Sequence, residues 1–137
     1  MSRNINLYGQ ESKKLNHFDN IKIENTNRII NYSVDTLYCE CLNEHECEQQ
    51  KILLHQMLQK LRVGGNLILS FINAKIIAKA YYDNILTDNE IVQFFTANKC
   101  LLSIDKINEY IDEQYIVSKI EYLDYNIVVS ITRISIE

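Results

Sequence analysis

The sequence predicts a single α/β domain built on a mainly parallel sheet. Three observations lead there. Segments of strand character alternate with segments of helix character along the chain, the order that winds helices between parallel strands. The stretch Asn66 to Ile72 reads Asn-Leu-Ile-Leu-Ser-Phe-Ile, apolar on both faces, as expected of a central strand between two helix layers. From Glu46 to Arg62, residues Cys47, Leu54, Met57, Leu58 and Leu61 recur at helical spacing and make one apolar stripe.

Each element follows in order. Asn4 to Tyr8 alternates and stops at Gly9, a first strand. Phe18 to Ile23 is a short second strand, and Arg28 to Tyr32 a weaker third. Val34 to Leu42 is the fourth, with Val34, Leu37 and two cysteines to pack. The helix from Glu46 ends at Gly64-Gly65, since glycine takes a positive φ without penalty. Ala74 to Asn84 is helical, with Ile76, Ile77, Ala80 and Tyr81 on one side. Thr87-Asp88-Asn89-Glu90 is a capping box, in which hydroxyl and carboxylate each satisfy a free backbone N–H. It opens a helix carrying Ile91, Phe94 and Phe95. Two strand-like runs, about Leu102 to Ile111 and Asn126 to Ile136, follow. Between them Tyr115 to Tyr125 reads as a further strand or an excursion.

A chain of 137 residues is the size of one domain, so residues 1–137 are expected to form one unit without a separate substrate domain. A net charge of −4 argues against a nucleic-acid backbone as the main partner. No apolar run reaches the roughly 18–20 residues that span a bilayer. The start, Met1-Ser2-Arg3-Asn4, lacks the apolar stretch of a signal peptide, so a cytoplasmic protein is expected. Proline is absent, while Asn, Ile, Lys and Tyr abound, a usage that fits an AT-rich coding source such as a virus or an AT-rich bacterium.

The four cysteines do not read as a disulfide framework: Cys39, Cys41 and Cys47 cluster and Cys100 stands apart. With His45 the cluster is a Cys₃His set, the kind zinc favours, but its spacing departs from the paired knuckle. Buried thiols acting as small hydrophobes explain it more simply, and no metal is expected.

Val34-Asp35-Thr36-Leu37-Tyr38 is followed by Asn43-Glu44-His45, then by a helix ending Leu61-Arg62-Val63-Gly64-Gly65 directly before an apolar strand. On these residues, in this order, the middle of the chain resembles class I S-adenosylmethionine-dependent methyltransferases. In that family a strand opening "VD" or "FD" leads to a loop ending "EH". A helix ending "L+PGG" and the fifth strand follow. The capped helix ending Asn98-Lys99-Cys100 resembles the family's last helix, and Asn126 to Arg133 its antiparallel seventh strand. The resemblance covers about residues 34 to 100 well and extends to the end. It implies a Rossmann-like methyltransferase fold, mainly parallel with an antiparallel C-terminal strand, abbreviated in its N-terminal half.

The resemblance also implies a cofactor site. The family places a Gly-rich loop after the first strand. Here the segment is Asn6-Leu7-Tyr8-Gly9-Gln10-Glu11-Ser12, with one glycine. Asn6 to Gly9, followed by Phe18-Asp19-Asn20-Ile21-Lys22, is similar to a worn version of the motif in compact viral and bacterial relatives. Their ribose-holding acid falls at Lys22; Glu24, two residues on and on the same side of a strand, is the substitute. Residues 10 to 17 supply about eight positions, where a parallel crossover needs roughly a dozen, so the first helix is abbreviated or absent. By resemblance S-adenosylmethionine would touch Tyr8, Gly9, Gln10, Lys22, Glu24, Cys41, Leu42 and Glu44.

Each candidate has a plainer reading. Gly9 either lets the backbone approach a ligand or makes a simple turn. Glu44 and His45 lie where ligands bind in open α/β sheets, and His45 is the candidate catalytic base with Glu44 as its hydrogen-bond partner. Alternatively, Asn43-Glu44 only starts the next helix. Three functions follow. The first is a methyltransferase on an unknown, small-molecule or other, substrate. The second is a methyltransferase-like regulatory or structural subunit without methyl transfer. The third is a cofactor-binding enzyme of another reaction class. A homodimer or partner subunit is expected to cover a shortened sheet edge.

Overall fold

The structure, a computed structural model, describes residues 2–10 and 13–136. The chain runs β1 (Asn4–Tyr8), β2 (Asp19–Lys22), a 3-10 helix (Ile23–Arg28), β3 (Val34–Cys39), a 3-10 turn (Leu42–Glu44), α1 (Cys47–Lys60) and β4 (Leu61–Ile72). Then come α2 (Ala74–Tyr82), α3 (Asp88–Ala97), α4 (Ile104–Tyr110), β5 (Tyr115–Leu123) and β6 (Asn126–Arg133). The described strands form one sheet in the order β2-β1-β3-β4-β6-β5. β2, β1, β3 and β4 pair in parallel, and β6 runs antiparallel to β4 and β5. The expected sheet, mainly parallel with an antiparallel C-terminal strand, is the one found.

Register decides which residues make the core. Ile5 lies opposite Leu37, Leu37 opposite Leu67, and Leu67 opposite Ile131. Two residues on, Leu7, Cys39, Leu69 and Val129 form a second such row. Both rows face the same way, because side chains on a strand alternate. They meet Leu53, Leu54, Met57 and Leu58 of α1 and Ile107 of α4 in one buried cluster. Burying each of these large side chains contributes roughly 1.5–3 kcal/mol.

The other face is different. Its rows are Asn4, Thr36, Asn66 and Thr132, then Asn6, Tyr38, Ile68 and Ser130. Apart from buried Asn6, these residues are partly exposed. The expectation of a strand sealed between two helix layers is therefore corrected. The core lies on one face, and the outward positions of β4 are Ile68, Ser70 and Ile72, all partly exposed.

The short crossover after β1 explains that open face. Described residues 13–18 contain no helix. The loop is held by amides instead. Asn6 Nδ2 donates to the Lys13 carbonyl at 3.0 Å and to Asn20 Oδ1 at 2.8 Å. Asn20 Oδ1 also accepts from the Leu15 N–H, while Asn20 Nδ2 donates to the carbonyls of Leu15 and Phe18. Between β2 and β3 only the 3-10 helix intervenes.

Four further expectations need correction. Residues 28–32 are no strand: Arg28 ends the 3-10 helix, and Tyr32 takes a left-handed φ of 61°. The backbone N–H groups of Tyr32 and Ser33 then cap the end of α1 by donating to the carbonyls of Gln59 and Lys60. The run from Leu102 contains α4, because the Ser103 hydroxyl caps it by accepting from the Lys106 N–H. Helix α1 stops at Lys60, and β4 starts at once; Gly64 and Gly65 lie inside the strand, where Val34 and Thr36 of β3 face Leu61 and Asn66 across an irregularity. Finally, Cys47 and Cys100 form a disulfide with Cα atoms 5.1 Å apart. Sequence spacing could not show this, since 53 residues separate them and only the fold brings them together.

Buried Arg133 locks the base of the sheet. Its Nη1 donates to the carbonyls of Leu58 and Leu61 at the end of α1. Its guanidinium stands 4.5 Å from the Tyr32 ring centre and 5.3 Å from that of Tyr115. At the opposite, carboxyl end of β4, Ile77, Ala80 and Leu86 form a second small core with Ile72, Phe94 and Tyr125. That core joins α2 and α3 into an arm.

Candidate functional site

Parallel strands leave a crevice beyond their carboxyl ends, and ligands of open α/β sheets bind there. Here β1 ends at Tyr8, β3 at Cys39 and β4 at Ile72. A cavity of about 270 Å³ opens at this edge, lined by Glu40, Asn43, Glu44, Ser70, Phe71, Ile72, Ala97, Asn98 and Asn126. The α2–α3 arm ends in Ala97 and Asn98 and forms one wall. The segment after β3 forms the other. The two walls are tied together by a hydrogen bond from Asn43 Nδ2 to Asn98 Oδ1.

Gly9 meets this edge from β1. A Cβ on Gly9 would stand 3.1 Å from Cys41 Cβ, 3.3 Å from Cys41 Sγ and 3.3 Å from Glu44 Oε2. Its missing side chain thus makes room for Cys41 and Glu44. Glu44 touches this position and also lines the cavity, so it connects the loop after β1 to the space beyond β3 and β4. Cys41 is buried, with Sγ 3.8 Å from Cys39 Sγ and 3.7 Å from the Leu7 carbonyl. Leu42 is buried in the main core.

The other candidates lie around this centre. Tyr8 ends β1 with the Lys14 ammonium 5.5 Å over its ring. Gln10 is exposed, and Glu11 and Ser12 of the same loop lie outside the described residues. Lys22 ends β2 opposite Tyr8 and is exposed. Glu24 lies in the first turn of the 3-10 helix, not on a strand, and its charge reaches His45. His45 closes the 3-10 turn after β3. Burial lowers its pKa below 6.5; the Glu24 carboxylate opposes that shift and the Lys99 ammonium adds to it. His45 is therefore neutral at pH 7, the form that accepts a proton.

Sequence reading passed over several of the cavity's residues. Glu40 is one of them. Its Oε1 accepts from the Lys13 N–H at 3.1 Å, and its Oε2 from the Tyr38 hydroxyl at 3.3 Å. Burial and the neighbouring Glu40 charge raise the Tyr38 pKa. Asn43, Ser70, Asn98 and Asn126 were not singled out either. The available signal was position: each is a polar residue at or just beyond a strand end, or at a helix end. Among the described residues no group of three or more His, Cys, Asp or Glu is arranged to hold a metal ion. The disulfide takes Cys47 out of the Cys₃His set. No described helix is long and apolar enough to cross a membrane.

The donor set fits part of an S-adenosylmethionine molecule. That cofactor carries a sulfonium and an ammonium, and two acidic residues, Glu40 and Glu44, line the cavity. The ribose position fits less well, with Lys22 where the family has an acid. A cavity of about 270 Å³ is also small beside typical ligand pockets of roughly 300–1,000 Å³. It suits a methionine end or an acceptor group rather than a whole nucleoside.

Comparison with known proteins agrees with the topology. No protein-family model matches the chain. It is 29% identical over 129 residues to the type II restriction enzyme and methyltransferase RM.Eco57I of Escherichia coli. That match takes in 87% of this chain but 12% of the relative, so the chain spans about an eighth of that protein. Among solved structures, an O-methyltransferase family protein from Burkholderia thailandensis superposes with a TM-score of 0.60 at 14% identity, over 88% of this chain and 36% of the other. The plantazolicin methyltransferase BpumL, solved with SAH, gives 0.60 at 13% identity, over 87% and 60%. A SAM-dependent methyltransferase from Anabaena variabilis gives 0.58 at 10% identity, over 88% and 60%. The chain has the fold of the class I S-adenosylmethionine-dependent methyltransferases, shortened in its N-terminal half.

Proposed function

We propose that this chain binds S-adenosylmethionine at the carboxyl edge of its sheet and transfers the methyl group to a small polar acceptor. The observation that carries the reading is the position of Glu44, which packs on Gly9 after β1 and lines the cavity beyond β3 and β4. Glu44 would hold the cofactor's ammonium, with the backbone at Gly9 and Gln10 alongside and Glu24 as the candidate ribose partner. Bound there, the cofactor supplies an electrophilic methyl group for direct displacement. The chain's own task is alignment of two reactants, which needs few dedicated catalytic groups. Glu40, Asn43, Asn98 and Asn126 offer carboxylate and amide partners to orient an acceptor. Neutral His45, beside Glu44 in sequence, would take the acceptor's proton.

The test is calorimetric titration with S-adenosylhomocysteine, which keeps the ammonium. Micromolar binding is expected, weakened at least tenfold in Glu44→Gln. Equal binding by the variant would remove Glu44 from the site.

A second reading has its own support. Among the described residues the crossovers around β2 hold no α-helix to wall a pocket, and exposed Lys22 falls at the ribose position that the resemblance implies. These favour a methyltransferase-like subunit that keeps the fold without methyl transfer. Folded protein that gives no heat with either form of the cofactor would select it.

A further inference from the structure

We propose that the Cys47–Cys100 disulfide is a reversible clamp on the cavity beyond β3 and β4, opened by thiol–disulfide exchange with a dithiol reductant. The inference rests on reading that cavity as the acceptor end of the site.

Place comes first. Cys47 is the first residue of α1, three residues after Glu44 of the cavity wall. Cys100 follows Asn98 of the opposite wall by two residues. The bridge therefore joins the two walls directly behind the lining. Its noncovalent companions are few: the Asn43–Asn98 amide pair, a long bond from the Cys100 N–H to the Asn43 carbonyl at 3.4 Å, and the Gln50 side chain bonded to the Cys100 carbonyl at 3.1 Å. Helix α3, which carries Ala97 to this wall, has no fully buried residue of its own. A covalent link thus holds a wall that packing holds weakly.

Chemistry comes second. Cys47 is exposed, whereas Cys100 is 3% exposed. Cys39 and Cys41 are buried and belong to no disulfide, so an external thiolate meets Cys47 first. Attack on Cys47 Sγ forms a mixed disulfide and expels Cys100 as a thiolate. The Lys106 ammonium lies 3.6 Å from that sulfur, placed to face the departing negative charge. The reductant's second thiolate then attacks the mixed disulfide, leaving as a cyclic disulfide and releasing Cys47. Two electrons pass from the dithiol to the bridge, and two protons follow to Cys47 and Cys100. The reduced Cys100 also has an acceptor waiting, Gln50 Oε1 at 3.5 Å.

The experiment reads amide hydrogen exchange and thiol number, neither of which needs methyl transfer, so its failure is separate from that of the proposed function. Oxidised protein should show two titratable thiols after unfolding and reduced protein four, matching the two cysteines outside the bridge and the full cysteine set. On reduction with dithiothreitol, exchange in residues 42–46 and 96–101 should rise at least tenfold, with β1, β3 and β4 unchanged. Cys47→Ser should show the faster exchange without reductant and no response to it. Lys106→Met should slow reduction several-fold while keeping the oxidised exchange pattern. Four thiols in air-oxidised protein, or unchanged exchange in both segments after complete reduction, would overturn the clamp. An unchanged reduction rate in Lys106→Met would overturn Cys100 as the leaving sulfur.

Discussion

A Cβ on Gly65 would stand 2.7 Å from the Val34 carbonyl oxygen and 2.9 Å from that of Arg62. Those neighbours are backbone and cannot swing aside. At Gly64 nothing lies within 4 Å, but φ is +83°. Gly65→Ala should therefore cost about 1–3 kcal/mol through forced backbone movement. Gly64→Ala should cost about 1–2 kcal/mol through left-handed strain alone. Urea unfolding of the two variants checks the order, and a greater loss at Gly64 would contradict the account. The sequence showed the glycine pair but assigned it to a helix end. Its actual task, letting β4 bulge past β3 where Arg62 pairs with Asp35, depends on a strand distant in sequence. His45 allows a second test. Burial pulls its pKa down while Glu24 pushes it up, and burial is the larger influence. Protonation then favours the unfolded chain, so stability is complete above pH 6.5 and falls as pH drops from there through the folded pKa. An NMR titration of the His45 ring should give a midpoint below 6.5. A midpoint above it would mean that the Glu24 carboxylate dominates.

Helix α3 was legible in full because its signal is local. Thr87 accepts from the Glu90 N–H at 3.2 Å, and Glu90 Oε1 accepts from the Thr87 N–H at 3.0 Å. With no fully buried residue, this helix leans on its cap. Thr87→Ala should cost the helix about 1 kcal/mol, read as roughly fivefold faster amide exchange in residues 88–97 with little change in Tm. Unchanged exchange would show that the arm holds α3 by packing instead. Elements whose signals conflict were misread. Ile104, Ile107 and Ile111 sit at helical spacing, yet as β-branched residues they suggested a strand. Residues 28–32 are equally rich in such character, but Tyr32 turns left-handed to let the chain close on α1. The strands themselves were legible by alternation. The polar outward face was not: only register sets Asn4, Asn6, Thr36 and Asn66 on it side by side.

At the scale of the molecule, a sheet whose main core lies on one side follows from crossovers around β2 that hold no α-helix among the described residues. That shortening was visible in the residue count between β1 and β2. The sheet's two edges are guarded: β2 is four residues long, while β5 carries Lys119 and an irregularity between Val117 and Lys119. Both devices oppose edge-to-edge pairing. The candidate site was legible in part. Gly9, Cys41 and Glu44 meet as a group, because the motif that marks them is tied to strand ends. The amides of Asn43, Asn98 and Asn126 come from three separate segments, and no spacing links them. The central claim is that the carboxyl edge, at Gly9 and Glu44, is where the cofactor sits. The most direct measurement is a ¹⁵N chemical-shift map with S-adenosylhomocysteine. Shifts concentrated at residues 8–10 and 41–45 are predicted. Shifts confined to the opposite edge around Arg133, or none at millimolar ligand, would contradict the account.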